Sequence, residues 1–212
     1  MIPIGDDNSS SKTFPLITYA LIAINVLVFL VELTGGDAFI MKWSFIPSRF
    51  TANLLSDSAT LLSSMFMHAG WLHLGGNMLY LWIFGDNVED RFGHLPFIIF
   101  YLLSGVAATF SQLAFSLGSD IPNLGASGAI AGVLGAYVLM FPQRRVNVLL
   151  GRSVTQMPAF IVLGFWFVLQ FFSGVGSIAQ SSETGGVAYM AHIGGFVAGF
   201  ALALFLRGIK SV

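Results

Sequence analysis

Cysteine is absent from all 212 residues. That excludes disulfides, a thiolate metal site and a cysteine nucleophile. Charge is almost as scarce. Asp, Glu, Lys and Arg make up 9% of the chain, whereas a soluble domain carries roughly 25%. That is too little to coat a surface facing water. The formal net charge is -1, so no basic excess exists to neutralise phosphates, which argues against a nucleic-acid partner. No His-Glu-x-x-His occurs, and His68 and His73 are five apart, off the i, i+4 face that a helical zinc site uses. No metal or cofactor is expected. The first fifteen residues are polar, with Asp6, Asp7 and Lys12, and lack the basic start and short apolar core of a cleaved signal. No internal repeat or low-complexity linker divides the chain, which removes support for an inverted-repeat transporter.

What fills the chain instead is apolar. Hydrophobic residues reach 56% and the mean hydropathy is +0.82. The fold class this predicts is all-α: a polytopic membrane bundle of six transmembrane helices in one domain. A span needs about 20 mostly apolar residues. The six runs are 16–33, 72–85, 97–117, 127–141, 158–172 and 187–206. The second, fourth and fifth are short, which implies local bilayer thinning or inward water. The stretch 35–60 reads as a loop partly embedded at the interface, where Trp43 and its aromatic neighbours settle. A polar turn is expected at 86–94. With the N-terminus inside, Lys12, Arg91, Arg144, Arg145, Arg152, Arg207 and Lys210 fall inside and only Lys42 and Arg49 outside. That seven-to-two split predicts cytoplasmic termini: segment 1–15, membrane domain 16–206 and tail 207–212.

This topology stacks the polar residues in depth. Spans two, four and six run from outside to inside. His73 and Asn77 share one face of span two at i, i+4 spacing. Ser127 heads span four, and His192 lies near the outer start of span six. Gly128 and Gly132 on span four face Gly195 and Gly199 on span six as two smooth surfaces able to approach closely. Close approach would bring the Ser127 hydroxyl to the His192 imidazole, which can take its proton. His73, Asn77 and the Ser127 backbone N–H could then donate to an oxyanion. No carboxylate lies at the depth of His192, so the pattern predicts a Ser-His dyad. Asp120 or Glu183 could supply a third member only by folding back from outer loops. Taken singly, each residue has a plainer reading. Ser127 is a good helix cap, His192 a buried neutral histidine, and His73 with Asn77 interhelical hydrogen-bonding glue.

Jointly these residues resemble the rhomboid family of intramembrane serine proteases. The pattern His-xxxx-His-xxx-Asn falls on His68, His73 and Asn77. Gly-x-Ser-Gly falls on Gly125, Ser127 and Gly128. Ala-His-xx-Gly-xxx-Gly falls on Ala191, His192, Gly195 and Gly199, and a Glu-x-Arg turn on Glu89 and Arg91. The resemblance covers roughly 14–206 and implies specific roles. Ser127 would be the nucleophile, His192 the general base, and His73 and Asn77 the oxyanion site. The partners would be the lipid bilayer and transmembrane protein substrates, cut by peptide hydrolysis in or near the membrane. The setting would be a bacterial inner membrane. The aromatics of the fifth span, Trp166 among them, read as lipid-facing bulk, and the resemblance offers a mobile wall for sideways entry as the alternative. Two departures stand out. Trp43 is followed by Ser44 where many members have Arg, so the first loop needs another anchor. Ala131 stands where some members carry a tyrosine beneath the histidine, so the imidazole needs another support. His68 is not assigned a catalytic role. Glu89 and Arg91 read as caps or anchors of the inner turn, and His94 as a solvated residue beside them.

Overall fold

The glycine-rich run at 125–135 folds as the central helix of the bundle. A computed structural model describes residues 1–9, 11–179 and 188–209. In chain order its elements are β1 (Ile2–Asp6), α1 (Leu16–Trp43), α2 (Pro47–Ala52), α3 (Leu54–Asp57), α4 (Thr60–Ser63), α5 (Trp71–Phe92), α6 (His94–Phe115), α7 (Ser127–Met140), β2 (Arg145–Leu150), β3 (Ser153–Pro158), α8 (Ala159–Ala179) and α9 (Tyr189–Ile209). The fold is a helical membrane bundle, as expected. Among the described residues four helices are long and apolar enough to cross a membrane: α1, α6, α8 and α9. The sequence reading expected six spans. The other two helices differ for a physical reason. From Gly128 to Tyr137 every residue of α7 is buried, and its 14 residues span only about 21 Å. A helix wrapped in protein on all sides need not match the bilayer. Helix α5 is longer than the expected run and carries His73, Asn77, Asp86 and Glu89, which lower its hydropathy.

Helices α7 and α9 run parallel and nearly touch. A Cβ on Gly195 would lie 2.1 Å from the Gly128 carbonyl oxygen, and one on Gly199 would lie 2.2 Å from the Gly132 carbonyl oxygen. Residues four apart on α7 therefore meet residues four apart on α9 in the same order. No side chain fits between them, so backbone packs on backbone. Below this seam the core is aliphatic and aromatic, with Leu134, Val133 and Tyr137 of α7 against Leu81 and Phe84 of α5 and Phe97 and Tyr101 of α6.

The end of the bundle away from Ser127 is closed by polar contacts, of which the sequence reading anticipated only an anchoring role for Glu89 and Arg91. The expected polar turn at 86–94 is instead helix through Phe92, and only Gly93 breaks it. Its acidic residues face the N-terminal segment. The fully buried Glu89 carboxylate accepts from Ile17 N–H at 2.8 Å, and from Thr18 N–H and Thr18 Oγ1 at 2.7 Å each. These are first-turn groups of α1 with no partner inside their own helix, and a negative charge there also suits the helix dipole. His94 is not simply solvated: its Nδ1 lies 2.6 Å from Glu89 Oε1. Glu89 thus anchors the turn as read, through the start of α1. Three short antiparallel strands, ordered β1-β2-β3, cover the same end. Asp6 of β1 accepts from the Tyr137 hydroxyl at 2.5 Å and from Asn87 Nδ2 at 2.9 Å, tying the N-terminal strand to both α7 and α5.

At the other end, α1 continues to Trp43 through a non-helical Gly36, eight residues beyond the expected start of the loop. Trp43 is partly exposed, and Phe45 and Phe50 are buried against Leu113. The other anchor that the first loop was expected to need comes from Arg49. It pairs with Asp57 at 2.7 Å and donates to the Ser44 carbonyl at 2.6 Å and to that of Met41.

Two outcomes are expected. Gly199→Ala should cost roughly 1–3 kcal/mol through overpacking and lower the thermal midpoint in detergent. Gly164→Ala on α8, where a Cβ meets nothing within 4 Å, should be neutral or slightly stabilising. The second outcome concerns Asp6. Burial, and secondarily the charge of Asp86, pushes its carboxyl from the ordinary 3.8 up to about 7, against the pull of the Tyr137 hydroxyl and Arg144. A carboxyl with a raised folded pKa binds its proton more tightly when folded, so stability falls as pH rises from about 4 to about 7. Asp6→Asn should flatten that part of a plot of thermal midpoint against pH.

Candidate active site

Ser127 is the first residue of α7, and what precedes it explains its exposure. Gly125 sits at φ 130°, a conformation that side chains disfavour. A Cβ there would also lie 2.8 Å from the His73 ring. The loop leading to Ser127 is held by the first loop of the chain. Phe45 and Asn123 exchange backbone hydrogen bonds at 3.1 and 2.7 Å, and Gly125 N–H donates to the Ser64 carbonyl at 2.9 Å. Asp120, one of the two carboxylates that could have folded back, instead accepts from Ser48 Oγ at 2.5 Å. Glu183 lies outside the described residues.

His192 stands in the first turn of α9, beside the start of α7, because the glycine seam sets the two helices in register. Its Nε2 lies 2.8 Å from Ser127 Oγ. The serine hydroxyl is therefore engaged with the imidazole, not with the backbone of its own helix; no side-chain capping bond closes the start of α7. On the far side of the ring, Nδ1 lies 2.7 Å from Gln170 Oε1 of α8. The amide oxygen can only accept, so Nδ1 carries the proton and Nε2 presents its lone pair to Ser127. The Trp166 ring lies 5.9 Å from the imidazole, tilted by 36°.

His73 and Asn77 face the same space from α5. Ala69 N–H donates to His73 Nδ1 at 3.3 Å, which leaves Nε2–H of His73 as a donor toward Gly125 and Ser127. Asn77 is buried, and its Nδ2 has no acceptor among the described residues. A buried amide donor without a partner is costly, and Asn77 lines a cavity of about 820 Å³ together with Ser127, His192, His73 and Trp166. The structure thus brings together all four residues expected from sequence. No cluster of three or more metal-ligating side chains occurs among the described residues.

His68 stays outside this group. Its ring packs edge-on against His73 at 5.1 Å. Both its nitrogens are buried without partners among the described residues, and its backbone N–H donates to Glu32 Oε2 at 3.0 Å. Sequence reasoning missed Glu32, because α1 was taken to end just past it, and missed Gln170. A signal for Gln170 existed: it is the one amide in the apolar run 159–172, one helical turn after Trp166.

Comparison with known proteins bears on what such a cavity belongs to. A family model described as the Rhomboid domain matches residues 56–209. The chain is 30% identical over 194 residues to the mitochondrial Rhomboid protein 1 of Saccharomyces cerevisiae, covering 89% of this chain and 53% of that protein. It is 33% identical over 196 residues to Rhomboid protease GluP of Bacillus subtilis, covering 90% of this chain and 35% of that protein. A third relative, the mitochondrial RHOMBOID-like protein 6 of Arabidopsis thaliana, is 26% identical over 224 residues, with 90% and 68% covered. The chain spans about half the length of the yeast relative and about a third of the Bacillus one. The matched stretch holds all four converging side chains, and on that match the chain belongs to the rhomboid family.

Proposed function

We propose that this protein is an intramembrane serine endopeptidase that cleaves other membrane proteins in or near their transmembrane segments. The observation that carries the reading is the 2.8 Å contact between Ser127 Oγ and His192 Nε2, made inside a cavity large enough for an extended peptide segment. One relative is named a rhomboid protease, which supports the same class of reaction.

In the proposed reaction, Ser127 Oγ attacks the scissile carbonyl carbon and its proton passes to His192 Nε2. The carbonyl oxygen becomes an oxyanion at the N-terminus of α7. The Ser127 backbone N–H, Asn77 Nδ2 and His73 Nε2–H are its donors, and the positive end of the helix dipole adds to them. Asn77 suits this role because its donor is buried and has no partner among the described residues. It gains its hydrogen bond only as charge develops, which lowers the barrier without tightening substrate binding. Collapse breaks the C–N bond, and the leaving amine takes the proton from His192 Nε2–H. Water, deprotonated by the same imidazole, then hydrolyses the acyl-enzyme and frees Ser127. No carboxylate among the described residues takes part, and the proposed catalytic pair is a dyad.

The orientation proposed is cytoplasmic at both termini, with α1, α5, α6, α7, α8 and α9 as the six spans, in the membrane of a bacterial cell. The N-terminal strand, Arg144 and the start of α1 share one end of the bundle, and the site lies at the other. This arrangement fits the Lys and Arg distribution.

Purified enzyme with a single-span substrate tests the assignment. Ser127→Ala and His192→Ala should each abolish cleavage while leaving the thermal midpoint unchanged. Turnover by the Ser127→Ala protein would refute the reading. Asn77→Ala should be milder, lowering kcat roughly 100- to 1,000-fold without abolishing it, because two donors remain. A fluorophosphonate probe should label the wild type and neither dyad variant.

A further inference from the structure

A general base needs a fixed tautomer and a fixed ring plane. In this chain the means of fixing them is not where the family resemblance directed attention. Ala131, where some relatives would carry a tyrosine, is fully buried and offers only a methyl group. Asp120 is engaged with Ser48. The imidazole is held instead from the side by α8, through two residues one helical turn apart: Gln170, with its amide oxygen 2.7 Å from Nδ1, and Trp166, with its ring beside the imidazole.

We propose that Gln170 is the positioning residue for His192, so that the Ser127–His192 pair is poised only while α8 lies docked against α9. The inference rests on the protease reading above and deepens it. Gln170 does three things by its chemistry. It selects the Nδ1–H tautomer, which turns the Nε2 lone pair toward Ser127. It fixes the ring plane together with Trp166. It places a carbonyl dipole against Nδ1–H, where part of the imidazolium charge appears once Nε2 takes the serine proton. A carboxylate would do the last more strongly, but burying its charge costs several kcal/mol, whereas a neutral amide avoids most of that cost. Helix α8 is joined to α9 at this level by Trp166 and Phe167, each stacked near Phe196, at 6.3 and 4.6 Å. Any displacement of α8 from this seat removes the amide and the indole from the base together. Peptide hydrolysis is thereby tied to the docked position of one helix.

Three variants test this. Gln170→Leu keeps the size and loses the acceptor. It should lower kcat about tenfold, the worth of one hydrogen bond at its upper end, with KM changed less than twofold. It should slow fluorophosphonate labelling of Ser127 by the same factor, although that small reagent has no need of a substrate path past α8. Gln170→Glu restores an acceptor and adds a charge that favours the imidazolium. It should recover most of the rate and move the acid limb of the kcat/KM profile to higher pH, a change that a merely structural role would not produce. Gln170→Asn, one methylene short, should fall between the two, and it covers the case in which the leucine variant fails to fold. Labelling by Gln170→Leu at the wild-type rate, with cleavage unchanged or faster, would show only a latch between helices and overturn the proposal. So would an unmoved acid limb in Gln170→Glu. In either case an inactive Ser127→Ala protein would leave the protease reading standing. A Ser127→Ala protein that still cleaves would instead remove that reading.

Discussion

The structure depends on the approach of α7 to α9. Two helices whose backbones nearly touch cannot slide or rotate past each other without a carbonyl striking a Cα. The pairing of Gly128 with Gly195 and of Gly132 with Gly199 therefore fixes the register of α9 against α7 to a fraction of a turn. Register is what a two-residue site needs. Ser127 and His192 lie 65 residues apart in the chain, and their contact survives only if both helices begin at the same height and face each other. In hydrocarbon the apolar effect does not drive helices together, so close van der Waals packing along a glycine seam is the force available.

Polarity is sorted along the bundle axis. One end carries acidic side chains that cap backbone donors: Glu89 on the start of α1, and Asp90 on the Lys12 and Thr13 backbone at 3.0 and 2.7 Å. The other end carries neutral donors and acceptors, His73, Asn77, Ser127, His192 and Gln170. A buried carboxylate at the first end is compensated by N–H groups that would otherwise lack partners. Among the described residues the proposed reaction centre holds no permanent charge, so its donors can respond to charge that develops during reaction. The first loop contributes at a distance. Its Arg49–Asp57 pair and the Phe45–Asn123 bridge hold the segment that presents Ser127.

Much of this was legible without coordinates. Low charge and high hydropathy required a membrane bundle. Gly128, Gly132, Gly195 and Gly199 announced a helix contact by their spacing alone, and the order of the His, Ser and His motifs named the family. The local reading failed where a polar stretch was taken for a turn. Residues 86–92 look like a loop by composition, but Asp86, Asn87, Glu89 and Asp90 find partners in the N-terminal segment some 70 to 80 residues away. A helix can therefore continue through them. No window of sequence carries that information.

The division follows from the range of the forces. Composition and spacing report what each segment does with its own residues, whether it is apolar, smooth-faced or able to take up a proton, and these properties determined the bundle, the seam and the four converging side chains. Which group holds the imidazole was decided only by tertiary structure. Gln170 is one amide in an apolar run, and nothing in that run says which neighbour it will meet. The packing of α8 on α9 brings its oxygen to Nδ1, because two hydrogen-bonding groups set against each other in the same apolar layer pair with one another.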